Sequence, residues 1–202
     1  MTPKKSPVRR FVREYASFAL AMVLLFAARS SLADHYVVPS GSMETTLRPG
    51  DRVFVDKQAY GLRIPFTMVE LADRGTPARG EVVIFTSPAD GERLVKRVVA
   101  IAGDQVAVHR GRVHVNGVAL AEGGYGLREQ YGPRRLEIDL SHGGGPDQVP
   151  VRVPPGHVFV LGDARGNSRD SRFFGFVPER EIYARASSVY YRRGAGFVWQ
   201  TL

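Results

Sequence analysis

Valine recurs in short runs along this chain, and each run is closed by glycine or proline. Val53 and Val55 alternate with polar neighbours after Pro49-Gly50, the period of a half-buried strand behind a turn. Val82-Val83-Ile84-Phe85 is apolar without alternation, as a strand covered on both faces requires. Leu94 to Ile101 is a third run, with Lys96 and Arg97 inside it. Val106 and Val108 lead into Arg110-Gly111, and Val113 and Val115 into Asn116-Gly117, a two-residue hairpin signature. Residues 151–153, 157–161 and 187–192 read as further strands, and 122–149, rich in Gly, Pro and charge, as loops or short strands at the edge of an insert. With 22 Gly and 13 Pro and no long amphipathic period outside the N-terminus, the chain reads as a mostly antiparallel β protein.

The 202 residues suffice for one core plus a small insert. Cysteine is absent, which excludes a disulfide framework and a thiolate site. A net charge of +8 admits nucleic acid or an anionic membrane surface as partner classes, but the arginines are scattered and read as a solvated basic surface.

The N-terminus has two readings. Lys4, Lys5, Arg9, Arg10 and Arg13 precede Tyr15–Ala28, 14 residues without a charge. Extending to Arg13 and Ala33 reaches the roughly 20 residues of a membrane span, with charged ends that snorkel. Alternatively, Ser31-Leu32-Ala33 is a small-x-small site at the end of a cleaved signal peptide. In both cases the basic tail stays in the cytoplasm and the body lies outside.

Four lysines stand against 24 arginines, and only Lys57 and Lys96 lie in the body. Lysine can lose its proton when desolvated and arginine cannot. Lys96 sits among β-branched neighbours in Leu94-Val95-Lys96-Arg97-Val98-Val99. Buried there, its pKa falls and the amine becomes a usable base; on an edge strand it points to solvent, and periodicity leaves both open. A serine nucleophile needs such a base. None of the five histidines has a triad context, the Gly-x-Ser-x-Gly elbow is missing around Ser42, and no His-Glu-x-x-His occurs.

Three segments resemble the boxes of bacterial type I signal peptidases. Pro39-Ser40-Gly41-Ser42-Met43, followed by Leu47 and Gly50-Asp51, is similar to their nucleophile box. Lys96-Arg97-Val98-Val99, followed by Gly103-Asp104, is similar to their general-base box. Gly162-Asp163, Asn167-Ser168, Asp170-Ser171-Arg172 and Gly175-Phe176-Val177-Pro178 are similar to the last box. The resemblance implies Ser42 as nucleophile, Lys96 as general base, and an oxyanion hole from the Ser40 hydroxyl and the Ser42 N–H. It implies that Ser168 orients the Lys96 amine, that Asp170, Arg172 and Arg97 form a supporting charge cluster, and that Val38, Pro39, Met43, Leu47 and Val95 line pockets for small substrate side chains. Gly41 between the serines is expected to let the backbone turn. Ala164 stands where many relatives carry asparagine.

The fold expected from this resemblance is mostly β: an antiparallel catalytic core of the signal-peptidase type (34–102 and 157–202), a β-rich insert (103–156), one N-terminal transmembrane helix (14–33) and a basic tail (1–13). The function expected is removal of signal peptides after Ala-x-Ala-like sites by a Ser–Lys dyad, at the extracytoplasmic face of the bacterial plasma membrane. Signal peptides and the lipid bilayer are the expected partners, with no cofactor, metal or nucleic acid. Phe197, Trp199 and Ile64-Pro65-Phe66 are candidates to touch lipid headgroups. Two other readings are a Ser–Lys protease for one substrate, such as a conjugative pilin precursor, and a non-enzymatic secreted β protein that binds an anionic partner.

Overall fold

The computed structural model describes residues 33–60, 62–63, 70–72, 75–124 and 126–202, with helical backbone at six positions between 15 and 22. The expected tail, most of the expected anchor and Ile64-Pro65-Phe66 lie outside the described residues. Among the described residues no helix is long and apolar enough to cross a membrane.

Strands β1 (Ala33–Val37), β2 (Arg52–Asp56), β5 (Val82–Thr86), β6 (Arg93–Ile101), β13 (His157–Leu161), β14 (Val177–Pro178), β15 (Ile182–Arg192) and β16 (Gly196–Thr201) make the main sheet. Its order is β1-β2-β15-β5-β6-β13-β14, with β16 also paired to β15, and every pairing is antiparallel. Strand β15 is 11 residues long. One of its edges takes β2, and the other is shared by β5 below and β16 above.

The period-two rule accounts for the two sides of the sheet. Val82 and Ile84 of β5 join Val38, Met43, Leu47, Val53 and Val95 in one core cluster. Val83 and Phe85 join Val98, Val158 and Val160 in another. All four β5 residues from Val82 to Phe85 are buried, as their unbroken apolar run requires.

A second sheet runs β12 (Gln148–Arg152), β7 (Gln105–His109), β8 (Arg112–Val115) and β9 (Val118–Ala119). Its two turns have positive φ at both central residues: Arg110 and Gly111 in one, Asn116 and Gly117 in the other. That is the backbone whose twist matches a two-residue hairpin. Two further hairpins are β3 (Leu62–Arg63) with β4 (Glu70–Ala72), and β10 (Arg128–Tyr131) with β11 (Arg134–Glu137). The one α-helix outside the N-terminus among the described residues is the single turn α1 (Ser171–Phe174), capped by the Asp170 side chain, which accepts from Arg172 N–H.

Candidate active site

Three separate segments converge on Ser42. The first is the loop between β1 and β2. It is closed at its base by Val38 N–H to Asp51 O and Gly50 N–H to Val38 O, both 2.9 Å. Asp51, fully buried, accepts from Arg48 N–H at 3.0 Å and from Arg192 on β15 at 2.8 Å, which ties the loop to the middle of the sheet. Within it, Gly41–Met43 forms one 3-10 turn, with Ser42 and Met43 buried. Gly41 is not among the positive-φ glycines, so the turn comes from the 3-10 geometry and not from a left-handed glycine.

The second segment is β6. Lys96 Nζ lies 2.6 Å from Ser42 Oγ, and the lysine is only 3% exposed. Of the two readings open in the sequence, the structure has the buried one. Burial lowers the amine pKa to about 8; the carboxylates of Asp170 and Asp163 pull it back up and the Arg172 charge pushes it down. Ser40 Oγ donates to Ser42 Oγ at 3.3 Å from the exposed side of the turn.

The third segment is the loop after β13. Ala164 N–H donates to Ser42 O at 3.2 Å, a backbone contact that needs no side chain at position 164. Gly162 packs so closely that a β-carbon there would overlap both Ser42 O and Ser168 Oγ. Gly162 N–H donates to Asp170 Oδ2 at 3.1 Å, and Val160 N–H donates to Ser171 Oγ at 2.9 Å.

The site residues expected from sequence fall out as follows. Arg97 and Arg172 take different carboxylate partners, and Asp163, Asp170 and Arg172 all act on the Lys96 amine. Arg97 donates to Asp163 through Nε (2.9 Å) and Nη2 (2.7 Å), while Arg172 pairs with Asp170 at 2.8 and 2.7 Å. Thr46 Oγ1 joins the first pair, donating to Asp163 Oδ2 at 2.5 Å. Among the described residues the buried Ser168 hydroxyl has no hydrogen-bond partner, so the contact expected between it and the Lys96 amine is not made; Ser168 Oγ instead packs closely on Gly162. Val38, Met43, Leu47 and Val95 pack together under the nucleophile turn, and Pro39 is exposed beside them.

Asp163, Thr46 and the buried pair Arg165–Glu129 are part of the site's surroundings that the sequence does not single out. Asp163 and Arg165 lie inside the last box and were within reach of it; Glu129, on β10, carries no sequence signal. Among the described residues no group of three or more His, Asp or Glu side chains is placed to hold a metal. The arrangement is a hydroxyl held against a desolvated amine, which is the nucleophile-and-base pair that acyl transfer requires.

The family model "Signal peptidase, peptidase S26" matches residues 11–191. The chain is 33% identical over 199 residues to signal peptidase I of Pseudomonas fluorescens, covering 86% of this chain and 70% of that one. It is 34% identical over 173 residues to probable signal peptidase I-2 of Synechocystis sp., covering 82% and 66%. Among solved structures, a signal peptidase I from Enterococcus faecalis V583 is 28% identical and aligns with a TM-score of 0.40 over 56% of this chain and 98% of that one.

Proposed function

The chain belongs to the signal peptidase family, peptidase S26, and on that premise we propose that it cleaves with Ser42 as nucleophile and Lys96 as general base. It is a signal peptidase, an enzyme that removes signal peptides from exported preproteins. The non-enzymatic reading is thereby set aside. The observation that carries the dyad is the 2.6 Å contact between Lys96 Nζ and Ser42 Oγ in a buried setting.

The reaction runs from the neutral amine. Ser42 Oγ adds to the carbonyl carbon before the cut, and its proton passes to Lys96 Nζ. Negative charge collects on the carbonyl oxygen, facing the Ser42 N–H and the Ser40 hydroxyl once that hydroxyl turns from Ser42 Oγ. The intermediate collapses to an ester on Ser42, and the leaving amine of the mature protein takes the proton from Lys96. Water then attacks the ester, gives a proton to Lys96, and the collapse returns that proton to Ser42 Oγ. Each cycle leaves the lysine as it began.

The substrate lies extended along β6. The β13 ladder on β6 stops at the pair Leu161–Arg97, so Leu94 to Lys96 has no β13 partner there, which favours a peptide adding as a strand beside the amine. Val38, Met43, Leu47 and Val95 fill the space below, which supports a preference for small side chains such as Ala-x-Ala.

The anchor at 14–33, a plasma-membrane location and lipid contact belong to the same proposal. Cross-strand register puts Arg52, Phe54, Tyr191 and Phe197 on one face. Phe197 is 87% and Trp199 75% exposed, and this aromatic face flanked by arginine suits a headgroup layer. The dyad is tested by assaying full-length protein on a secretory precursor with Ser42→Ala and Lys96→Arg: both are expected to lose cleavage while keeping the fold, and substantial activity in either removes that residue from the mechanism.

A further inference from the structure

Among the described residues, two ion pairs lie deeper than Lys96: Asp170–Arg172 beside the site and Glu129–Arg165. Glu129 on β10 and Arg165 in the loop after β13 both have fully buried side chains. They meet fork to fork, Nη1 to Oε1 at 2.8 Å and Nη2 to Oε2 at 2.6 Å. Tyr131 OH donates to Glu129 Oε2 at 2.7 Å, and Val113 N–H on β8 donates to Oε1 at 3.4 Å. The carboxylate is thus oriented by β8 and β10, strands outside the main sheet. A buried ion pair is poor as a stabiliser, since desolvation offsets its attraction, so its presence asks for a second reason.

The other edge of the guanidinium supplies one. Arg165 Nε donates to Gly162 O at 3.0 Å, and Nη1 also donates to Gly111 O. Gly162 is therefore held at both ends of its backbone, its N–H by Asp170 and its carbonyl by Arg165. It is the residue packed on Ser42 O and Ser168, and two residues on Ala164 N–H binds Ser42 O. A rigid planar fork fixed on one side by Glu129 thus sets how tightly this loop closes over the nucleophile turn.

We propose that Glu129 is a positioning residue of the reaction, acting through Arg165 and the Gly162 carbonyl to hold the 162–164 segment against Ser42. This rests on the Ser42–Lys96 reading and extends it to a residue on β10. With the grip lost, the segment backs off Ser42 and water reaches the amine. Lys96 is faced by Ser42 from the nucleophile turn, by Asp163 from the loop after β13, and by Asp170 and Arg172 from the cap and first turn of α1. A Glu129 variant removes none of those charges, and the Asp163 and Asp170 carboxylates keep their own partners Arg97 and Arg172 while the backbone of the segment shifts, so the main change the amine feels is hydration.

The test uses full-length protein in detergent with a preprotein-derived peptide, in three variants. Glu129→Gln keeps the shape and removes the charge. Glu129→Leu with Arg165→Met removes both charges and gives the pair an apolar core that folds without the ion pair. Tyr131→Phe removes one hydrogen bond from Glu129 and is the mildest. For the first two, kcat is expected to fall about 10–100-fold with KM within about twofold. The alkaline midpoint of kcat/KM is expected to move up by about one pH unit as the amine is rehydrated. Tyr131→Phe should move both the same way by less, and it stands alone if the others do not fold. A double variant that folds with wild-type kcat and an unmoved midpoint overturns the proposal, as does an unmoved midpoint in Tyr131→Phe should it be the only one to fold. If Lys96→Arg is active, the dyad reading fails instead; if Lys96→Arg is dead and these variants are unaffected, only the role of Glu129 fails.

Discussion

Lys96 and Arg97 are consecutive on β6, yet they leave it on opposite faces. Lys96 is registered against Val83 and Arg97 against Val82, and those two valines belong to different core clusters. One cation reaches the Ser42 hydroxyl and has its pKa lowered; the other is locked to Asp163. The strand thus carries a cation that must be able to lose its proton beside one that never does.

Lys96→Arg is therefore expected to be as inactive as Ser42→Ala, because charge is kept and basicity is lost. In the wild-type enzyme kcat/KM should rise with pH to a midpoint near 8, where the amine deprotonates. A rate flat from pH 6 to 10 rules Lys96 out as the base.

The same proton has a cost in stability. The unfolded chain holds it up to about 10.5, the folded chain only to about 8, so burial costs a constant amount below pH 8 that vanishes as pH rises to 10.5. At about 1.36 kcal/mol per unit, this reaches at most about 3 kcal/mol at pH 7. Lys96→Met is expected to melt above wild type at pH 7, with the gain shrinking toward pH 10.5. A difference independent of pH would show that the folded lysine is not desolvated.

Gly162→Ala puts a methyl into space held by Ser42 O and Ser168 Oγ. Neither is the end of a long flexible side chain, so the loop must move. Overpacking of this kind costs about 1–3 kcal/mol in stability. The expected loss of kcat is far larger than that of substrate affinity. An alanine variant with normal kcat would mean that the close approach at Gly162 is not needed for turnover.

Asp163→Asn leaves Arg97, 3% exposed, without its carboxylate. Breaking one side of a buried pair costs about 3–5 kcal/mol, readable as a lower denaturation midpoint in urea. Asp163 also raises the Lys96 pKa, so the alkaline midpoint of the surviving activity should move down from 8. An upward shift contradicts this electrostatic arrangement.

Trp199 is the chain's one tryptophan and is 75% exposed, so its emission reports on the aromatic face directly. Anionic vesicles added to protein lacking residues 1–33 are expected to shift that emission to shorter wavelength. An unchanged spectrum removes Trp199 from the membrane face.

Strands whose inner residues are valine were readable, because burial and alternation coincide in them: β2, β5, β7 and β8 follow Val53/Val55, Val82–Phe85, Val106/Val108 and Val113/Val115. Strand β15 begins at Ile182, five residues before the expected start at Ser187, because its first half alternates small Ala184 and Ala186 with Tyr183 and Arg185, a faint period. Strand β16 presents Phe197 and Trp199 to solvent, the reverse of the usual signal. Hairpin β10–β11 is written in charges, with Glu129 buried where the pattern asks for an apolar residue. At the site, the resemblance picked out Ser42 and Lys96, which the structure brings together. Pairs such as Arg97–Asp163 and Arg165–Glu129 join residues 66 and 36 positions apart, and nothing in their spacing announces them.

Strand β15 sits between β2 and β5, with the hydroxyl hung from one side of it and the amine from the other. While a ribosome is still making the chain, both halves of the dyad exist long before the strand that knits them together. The main sheet therefore cannot be continuous between the two halves of the dyad until residues 182–192 have been added.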